Sequence, residues 1–296
     1  MGNSIDENKI REAIKNSGYL EEQKAIIEFE KNGFFAGGNF AFEDQDEQKS
    51  REVDFIATKF TDFTSKKAGF YFYVYGEVKT KSDPLVFFER KPQTQEPLEH
   101  YIPIVATQQD FPNIDIKLDI QKILKFNEIH HQIQHGVIST QFCIVTEKGA
   151  EHKNLYESLF VPLLKCVDSE MHTISNYTKP FDISRQIYYL HIFQPIVIIS
   201  GPLYSYDVYN DQLIKKDYII YRRHYSSGTV KRTLLIDVVS MKYLKQYLLD
   251  KLIKTYQAFE TTMKDNLDLI FKYCFKDKHY SDLEVKEMIA KQESKA

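Results

Sequence analysis

The chain has 296 residues, 43% of them hydrophobic and 27% charged, with a formal net charge of −3 and a pI near 6.3. That length suits one large domain or two modest ones with a sizeable core. The charge balance excludes a strongly basic nucleic-acid coat, so any contact with nucleic acid has to rest on local patches.

Such patches stand at Lys66-Lys67, Lys79 with Lys81, Arg90-Lys91, Lys215-Lys216, Arg222-Arg223-His224 and Lys231-Arg232. A charge run of this kind is usually a solvated face. Cys143, Cys166 and Cys274 are scattered, odd in number and without metal-ligand spacing, which fits a reducing compartment. The amino-terminal residues are polar and charged through Arg11, and no stretch approaches the ~20 apolar residues that a spanning helix needs. The chain reads as cytoplasmic, with no membrane partner.

In chain order, helices are predicted over about Glu7–Lys15 and Leu20–Lys31, broken at Asn16-Ser17-Gly18 and stopped by Asn32-Gly33. Strands follow at Phe34–Phe42, Arg51–Lys59 and Phe70–Thr80. Ser82–Asn113 carries most of the early prolines and reads as an irregular excursion with one short strand, Tyr101–Ala106. Apolar spacing predicts a helix over Ile116–His135. Gln141–Thr146 is a short buried strand and Asn154–Met171 an amphipathic helix with a kink at Pro162. Ile187–Ser200 is a long apolar strand interrupted at Pro195. After Gly201-Pro202 a meander is predicted, Leu203–Tyr209, Leu213–His224 and Thr229–Val239, with turns at Asn210-Asp211 and Ser226-Ser227-Gly228. Ser240 then caps a helix with an apolar stripe from Met241 to Phe259, and the residues from Asp265 on read as a polar helical tail. The resulting division is 1–200, 201–264 and 265–296.

The chemistry concentrates in Ser50–Lys81. Glu-x-Lys alone means little, since the triplet also begins at Glu7, Glu22, Glu47, Glu89, Glu151, Glu284 and Glu293 in polar or helical surroundings. Only Glu77-Val78-Lys79 lies on a strongly apolar strand, and a second acid, Asp54, lies on the strand before it. Side chains alternate along a strand, so Glu77 and Lys79 share a face. Buried charge is costly unless paired or bound to a metal. If the two strands pair antiparallel, Asp54 and Glu77 converge on one cation, and two carboxylates suit a hard ion such as Mg²⁺. Glu22 falls with Ala25, Ile26 and Phe29 on the stripe of its helix that faces the sheet. The bland alternative is a salt-bridged cluster in which Lys79 neutralises the acids. His131 and His135, four apart between glutamines and without a nearby acid, read as a solvated helix face rather than a metal site. Arg222-Arg223-His224 and Lys231-Arg232 flank one hairpin turn, either to grip phosphates or to keep its tip soluble. Tyr71, Tyr73 and Tyr75 share the face of Glu77 and are expected under the helices, with a contact to substrate as the other option.

A helix Glu, a strand, an Asp strand and a Glu-x-Lys strand, followed by helix and strand, resemble the PD-(D/E)xK, or restriction-endonuclease-like, nuclease superfamily. The residues carrying the likeness are Gly18-Tyr19-Leu20-Glu21-Glu22-Gln23, Val53-Asp54-Phe55-Ile56-Ala57, Gly76-Glu77-Val78-Lys79 and the exit Ser82-Asp83-Pro84-Leu85-Val86-Phe87. They cover roughly the first half of the chain. Val53 stands where the superfamily's motif has proline.

The resemblance implies an α/β fold: a mixed central β-sheet flanked by helices, with a C-terminal β-meander and helix that either extend that sheet or form a small lobe. It also implies a nuclease hydrolysing phosphodiester bonds, most plausibly in DNA, with Mg²⁺ or Mn²⁺ as cofactor. Asp54, Glu77 and the Val78 carbonyl would bind the metal. Lys79 would orient the attacking water and help deprotonate it. Glu22 would complete a second metal site or hold the water network. Nucleic acid is the implied partner, and homodimerisation is left open. The alternative from another class is a nucleic-acid-binding or scaffold protein that keeps the fold without turnover.

Overall fold

A computed structural model of the chain describes residues 6–44, 46–63, 68–91, 101–108, 111–115, 124–151, 155–176, 188–227 and 230–274. Helices Glu7–Asn16 and Tyr19–Lys31 open it. Gly33, with φ +77°, takes the left-handed conformation that ends the second helix and turns the chain into the sheet.

Among the described residues, thirteen strands form one mixed sheet. They are β1 Phe35–Asp44, β2 Lys49–Phe63, β3 Ala68–Thr80, β4 Leu85–Arg90, β5 Ile104–Gln108, β6 Phe111–Asp115, β7 Ile138–Thr146, β8 Gly149–Glu151, β9 Tyr188–Ser200, β10 Leu203–Asp207, β11 Gln212–Lys215, β12 Tyr218–Ser227 and β13 Val230–Ser240. The spatial order is β1-β2-β3-β9-β13-β12-β7-β4-β10-β11, with β5 and β6 beside β9 and β8 beside β7. β3, β9 and β13 run parallel at the centre. Strands covered on both faces read as continuous apolar runs, and Ile196-Val197-Ile198-Ile199 and Leu234-Leu235-Ile236 do so.

Helices cover both faces. On one, Ala25 and Phe29 of the second helix pack with Phe70 and Phe72 of β3 and with Tyr256 and Phe259 of the helix Ile253–Cys274. On the other, Leu163, Leu164 and Val167 of the helix Val161–Asn176 pack with Tyr75, Phe193 and Ile236. Each fully buried Leu, Ile or Phe contributes roughly 1.5–3 kcal/mol.

Several expectations are corrected. The strands after residue 200 extend this sheet rather than forming a small lobe. β10–β11 and β12–β13 are antiparallel hairpins as expected, but the meander is not continuous, because β10 pairs with β4, β12 with β7 and β13 with β9, all in parallel. β12 and β13 are too apolar to stand at an edge, and the centre of the sheet buries them. The predicted strand Leu213–His224 divides at Lys216-Asp217 into β11 and β12. Within the supposed excursion, Leu85–Arg90 is strand β4, held between β7 and β10. Pro195 does not interrupt β9. It falls between the β5 pairing, which reaches no further than Ile192, and the β13 pairing, which starts at Ile196, so its missing N–H breaks no ladder bond on that side.

The helix over Ile116–His135 falls partly outside the described residues. Its described part is two short helices, Phe126–Ile129 and His131–Gln134, broken at His130. Pro162 does not kink a helix either. The chain breaks at Phe160, between helices Leu155–Leu159 and Val161–Asn176, so the proline sits in the first turn of the second, where its lost donor costs little. Ser240 precedes a 3₁₀ turn, Met241–Tyr243, without a side-chain cap; a π-helical turn, Leu248–Leu252, then interrupts the helix after Leu244–Tyr247. The polar tail is helical as far as Cys274 and lies outside the described residues beyond it, as do Lys66-Lys67 and Gly228.

Buried histidines make stability depend on pH. His191, on β9, lies within the sheet stack between Tyr71 and Tyr73, and burial pushes its imidazole down to about 3. The unfolded chain protonates this ring near 6.5 and the folded chain does not, so the stabilisation is complete above that pH and is lost as pH falls. The expected loss is about 1.4 kcal/mol per pH unit for this group alone. Urea midpoints at pH 7.5 and 5.0 are expected to fall further for wild type than for His191→Phe. Equal falls in both proteins would show that His191 is protonated in the folded state.

Candidate active site

β2 and β3 pair antiparallel with Phe55 opposite Gly76, which sets Asp54 opposite Glu77. A Cβ on Gly76 would come within 2.0 Å of the Phe55 ring. Glycine therefore lets Phe55 lie across β3, and this close approach fixes the residue before it, Asp54, beside the Glu-x-Lys strand.

Three charged side chains then meet. Lys79 Nζ lies 2.7 Å from Glu77 Oε2 and 3.0 Å from Asp54 Oδ2, and the Val78 N–H donates to the same Asp54 oxygen at 2.7 Å. Glu77 is buried, with 3% of its side chain exposed, while Asp54 and Lys79 reach the surface. Burial pushes the Glu77 carboxyl up to about 8; Lys79 opposes the rise and Asp54 adds to it. Burial works against the Lys79 charge, but Glu77 and Asp54 outweigh it and hold the ammonium above its ordinary value.

Glu22 sits half-buried in the first turn of its helix. Its pKa is raised, first by burial and then by Asp54, with Lys79 pulling the other way. It therefore lies within the field of the cluster, but Lys79 pairs with Asp54 and Glu77 rather than with Glu22. Two residues that sequence reasoning missed border the site. Ser200 Oγ, opposite Thr80 at the end of β9, donates to Glu21 Oε2 at 2.8 Å. The signal was a lone serine closing an otherwise apolar strand.

Among the described residues no group of three or more His, Cys, Asp or Glu is arranged to hold a metal ion. The oxygen donors brought together here are the Asp54 and Glu77 carboxylates. Carboxylate oxygens of this kind are the donor type that Mg²⁺ or Mn²⁺ takes, each keeping several waters of its own.

The other sequence candidates resolve differently. His131 is not on a solvated face. It is buried, with Nε2 2.7 Å from Asp237 Oδ2 and Nδ1 2.8 Å from Thr255 Oγ1. Its acid lies 106 residues away in sequence, on β13, which is why no local pattern revealed it. His135 is half-buried and bonds the Val137 carbonyl. Tyr75 packs in the core against Phe193, with its hydroxyl toward Glu170, and Tyr71 and Tyr73 stack on His191. Arg222, Arg223 and Arg232 do not form an exposed tip. The first two lie over Tyr101 and Tyr156, and Arg232 lies against Asp168 and Met171.

The chain matches no protein-family model, no curated protein and no solved structure. No helix among the described residues is long and apolar enough to cross a membrane.

Proposed function

We propose that this chain is a metal-dependent nuclease of the PD-(D/E)xK, restriction-endonuclease-like kind, hydrolysing phosphodiester bonds in DNA. The observation that carries the reading is the convergence of Asp54, Glu77 and Lys79 within 3.0 Å on two antiparallel strands. The order of helix with Glu22, strand, Asp strand and Glu-x-Lys strand supports it, as does a mixed sheet flanked by helices.

Bound at Asp54, Glu77 and the Val78 carbonyl, Mg²⁺ would supply a more acidic water and neutralise charge on the scissile phosphate. The chain's own contribution is placement. The Val78 N–H and Lys79 fix the Asp54 carboxylate in one orientation. Burial of Glu77 excludes water from the inner side of the site. The Lys79 ammonium, kept charged by both acids, orients the attacking water and donates a hydrogen bond to a phosphate oxygen. Glu22 orients water from the helix side.

One observation favours the rival, a nucleic-acid-binding or scaffold protein without turnover: Lys79 Nζ itself occupies the point between the two carboxylates. Cation binding separates the two readings. A ligand that binds only the folded state stabilises it by about 2.7 kcal/mol at a hundredfold excess over Kd. Millimolar Mn²⁺ is expected to raise the melting temperature of wild type and not of Asp54→Ala. Equal shifts would place the cation elsewhere. The acidic run near Asp44 is a poor host for it, because Asp44 is already paired with Arg51 at 2.5 Å and Lys165 at 2.6 Å.

A further inference from the structure

On β12, three strands away from β3, a cleft of about 420 Å³ opens beside the helix Leu155–Leu159. Its walls are the rings of Phe88, Phe142, Tyr156 and Tyr221, and its one charged group among the described residues is Arg223. The guanidinium carbon lies 4.0 Å from the centre of the Tyr156 ring. Arg223 Nε is buried with no hydrogen-bond partner among the described residues. No acid among them lines the cleft to neutralise the charge.

We propose that this cleft binds a nucleotide, taking the base against its aromatic walls and the adjacent phosphate on Arg223. Stacking on aromatic side chains is tolerant of base identity and contributes roughly 1–3 kcal/mol per base. Guanidinium presents its donors in a planar fork that matches phosphate oxygens, and its stacking on Tyr156 pre-organises that fork. Thr140 and Gln141, also at the cleft, add a hydroxyl and an amide that can each both donate and accept, as the edge of a base does. A purely apolar ligand would leave the Arg223 charge desolvated with only neutral tyrosines beside it, and inorganic phosphate would leave the rings unused. The volume falls in the range of small-molecule sites.

A free nucleoside 5′-monophosphate and one nucleotide of a single strand present the same chemistry. Calorimetric titration in EDTA with adenosine 5′-monophosphate, uridine 5′-monophosphate and a 5′-phosphorylated deoxythymidine trinucleotide tells them apart, with adenosine and inorganic phosphate as controls. Binding of the monophosphates is expected to exceed that of adenosine or phosphate by at least about tenfold, and a trinucleotide that binds more tightly still would identify a strand as the source. Arg223→Met is expected to weaken binding about tenfold or more, and Arg223→Lys by less, with both variants folded because each keeps an aliphatic stem against Tyr156. No binding of any nucleotide, binding unchanged in a folded Arg223→Met, or benzoate binding as tightly as a nucleotide would overturn the assignment. EDTA removes the metal, and binding is expected unchanged in Glu77→Gln, so failure here and failure of the nuclease reading remain separate results.

Discussion

Asp237→Ala is expected to lose more than about 4 kcal/mol of stability, a large share of the roughly 5–15 kcal/mol that keeps a protein folded. Asp237 has no exposed surface and lies at the centre of the sheet on β13. Its Oδ1 accepts from Tyr218 at 2.8 Å and Gln132 at 3.0 Å. Its Oδ2 accepts from Gln194 at 3.1 Å, from the Tyr247 hydroxyl and from His131 at 2.7 Å. Burial alone would raise this carboxyl, but His131 and the other donors outweigh it and hold the pKa below its ordinary value. Removing the carboxylate leaves the Tyr218 and Tyr247 hydroxyls and the His131 ring buried without that acceptor, at about 1–3 kcal/mol for each that finds no other partner, while the Gln132 and Gln194 amides keep the Leu235 and Pro195 carbonyls. The cost is high because the network joins β9, β12, β13, the short helix His131–Gln134 and the helical turn Leu244–Tyr247. Urea denaturation measures it, and a loss below about 1 kcal/mol would mean that water replaces the carboxylate.

Local pattern carried the opening of the fold. Apolar spacing and a glycine stop located the helix Tyr19–Lys31, and alternation located β2 and β3 and placed Glu77 and Lys79 on one face. Asp54 was legible because an acid on a strand next to a Glu-x-Lys strand has few structural reasons to be there. What the sequence hid was non-local. Nothing near Leu85–Arg90 says that β10, more than a hundred residues on, pairs beside it. His131 and Gln132 look like a polar helix face until Asp237 arrives from β13. Arg222 and Arg223 look like a solvated pair until the register of β12 lays them on Tyr101 and Tyr156. Pro195 reads as a break because sequence cannot show that no strand pairs on one side of it.

Lys79→Met keeps the aliphatic stem and removes the ammonium that now bridges Asp54 and Glu77. On the nuclease reading the variant stays folded and cleavage falls by at least about a hundredfold, equivalent to about 2.7 kcal/mol of transition-state stabilisation. Its stability cost is modest, about 2 kcal/mol or less, because burial favours the neutral form of Glu77, so that losing the ammonium does not leave two buried charges facing each other. On the scaffold reading the ammonium is a structural keystone, and its removal costs 3–5 kcal/mol. The deciding measurement is the rate of supercoiled-plasmid cleavage in Mn²⁺ for wild type and Lys79→Met, with the urea midpoint taken on the same preparations. The account predicts metal-dependent cleavage by wild type that EDTA abolishes, and a folded Lys79→Met that has lost it. Wild type that cleaves neither DNA nor RNA with Mg²⁺ or Mn²⁺, or a folded Lys79→Met that cleaves as fast as wild type, would contradict it.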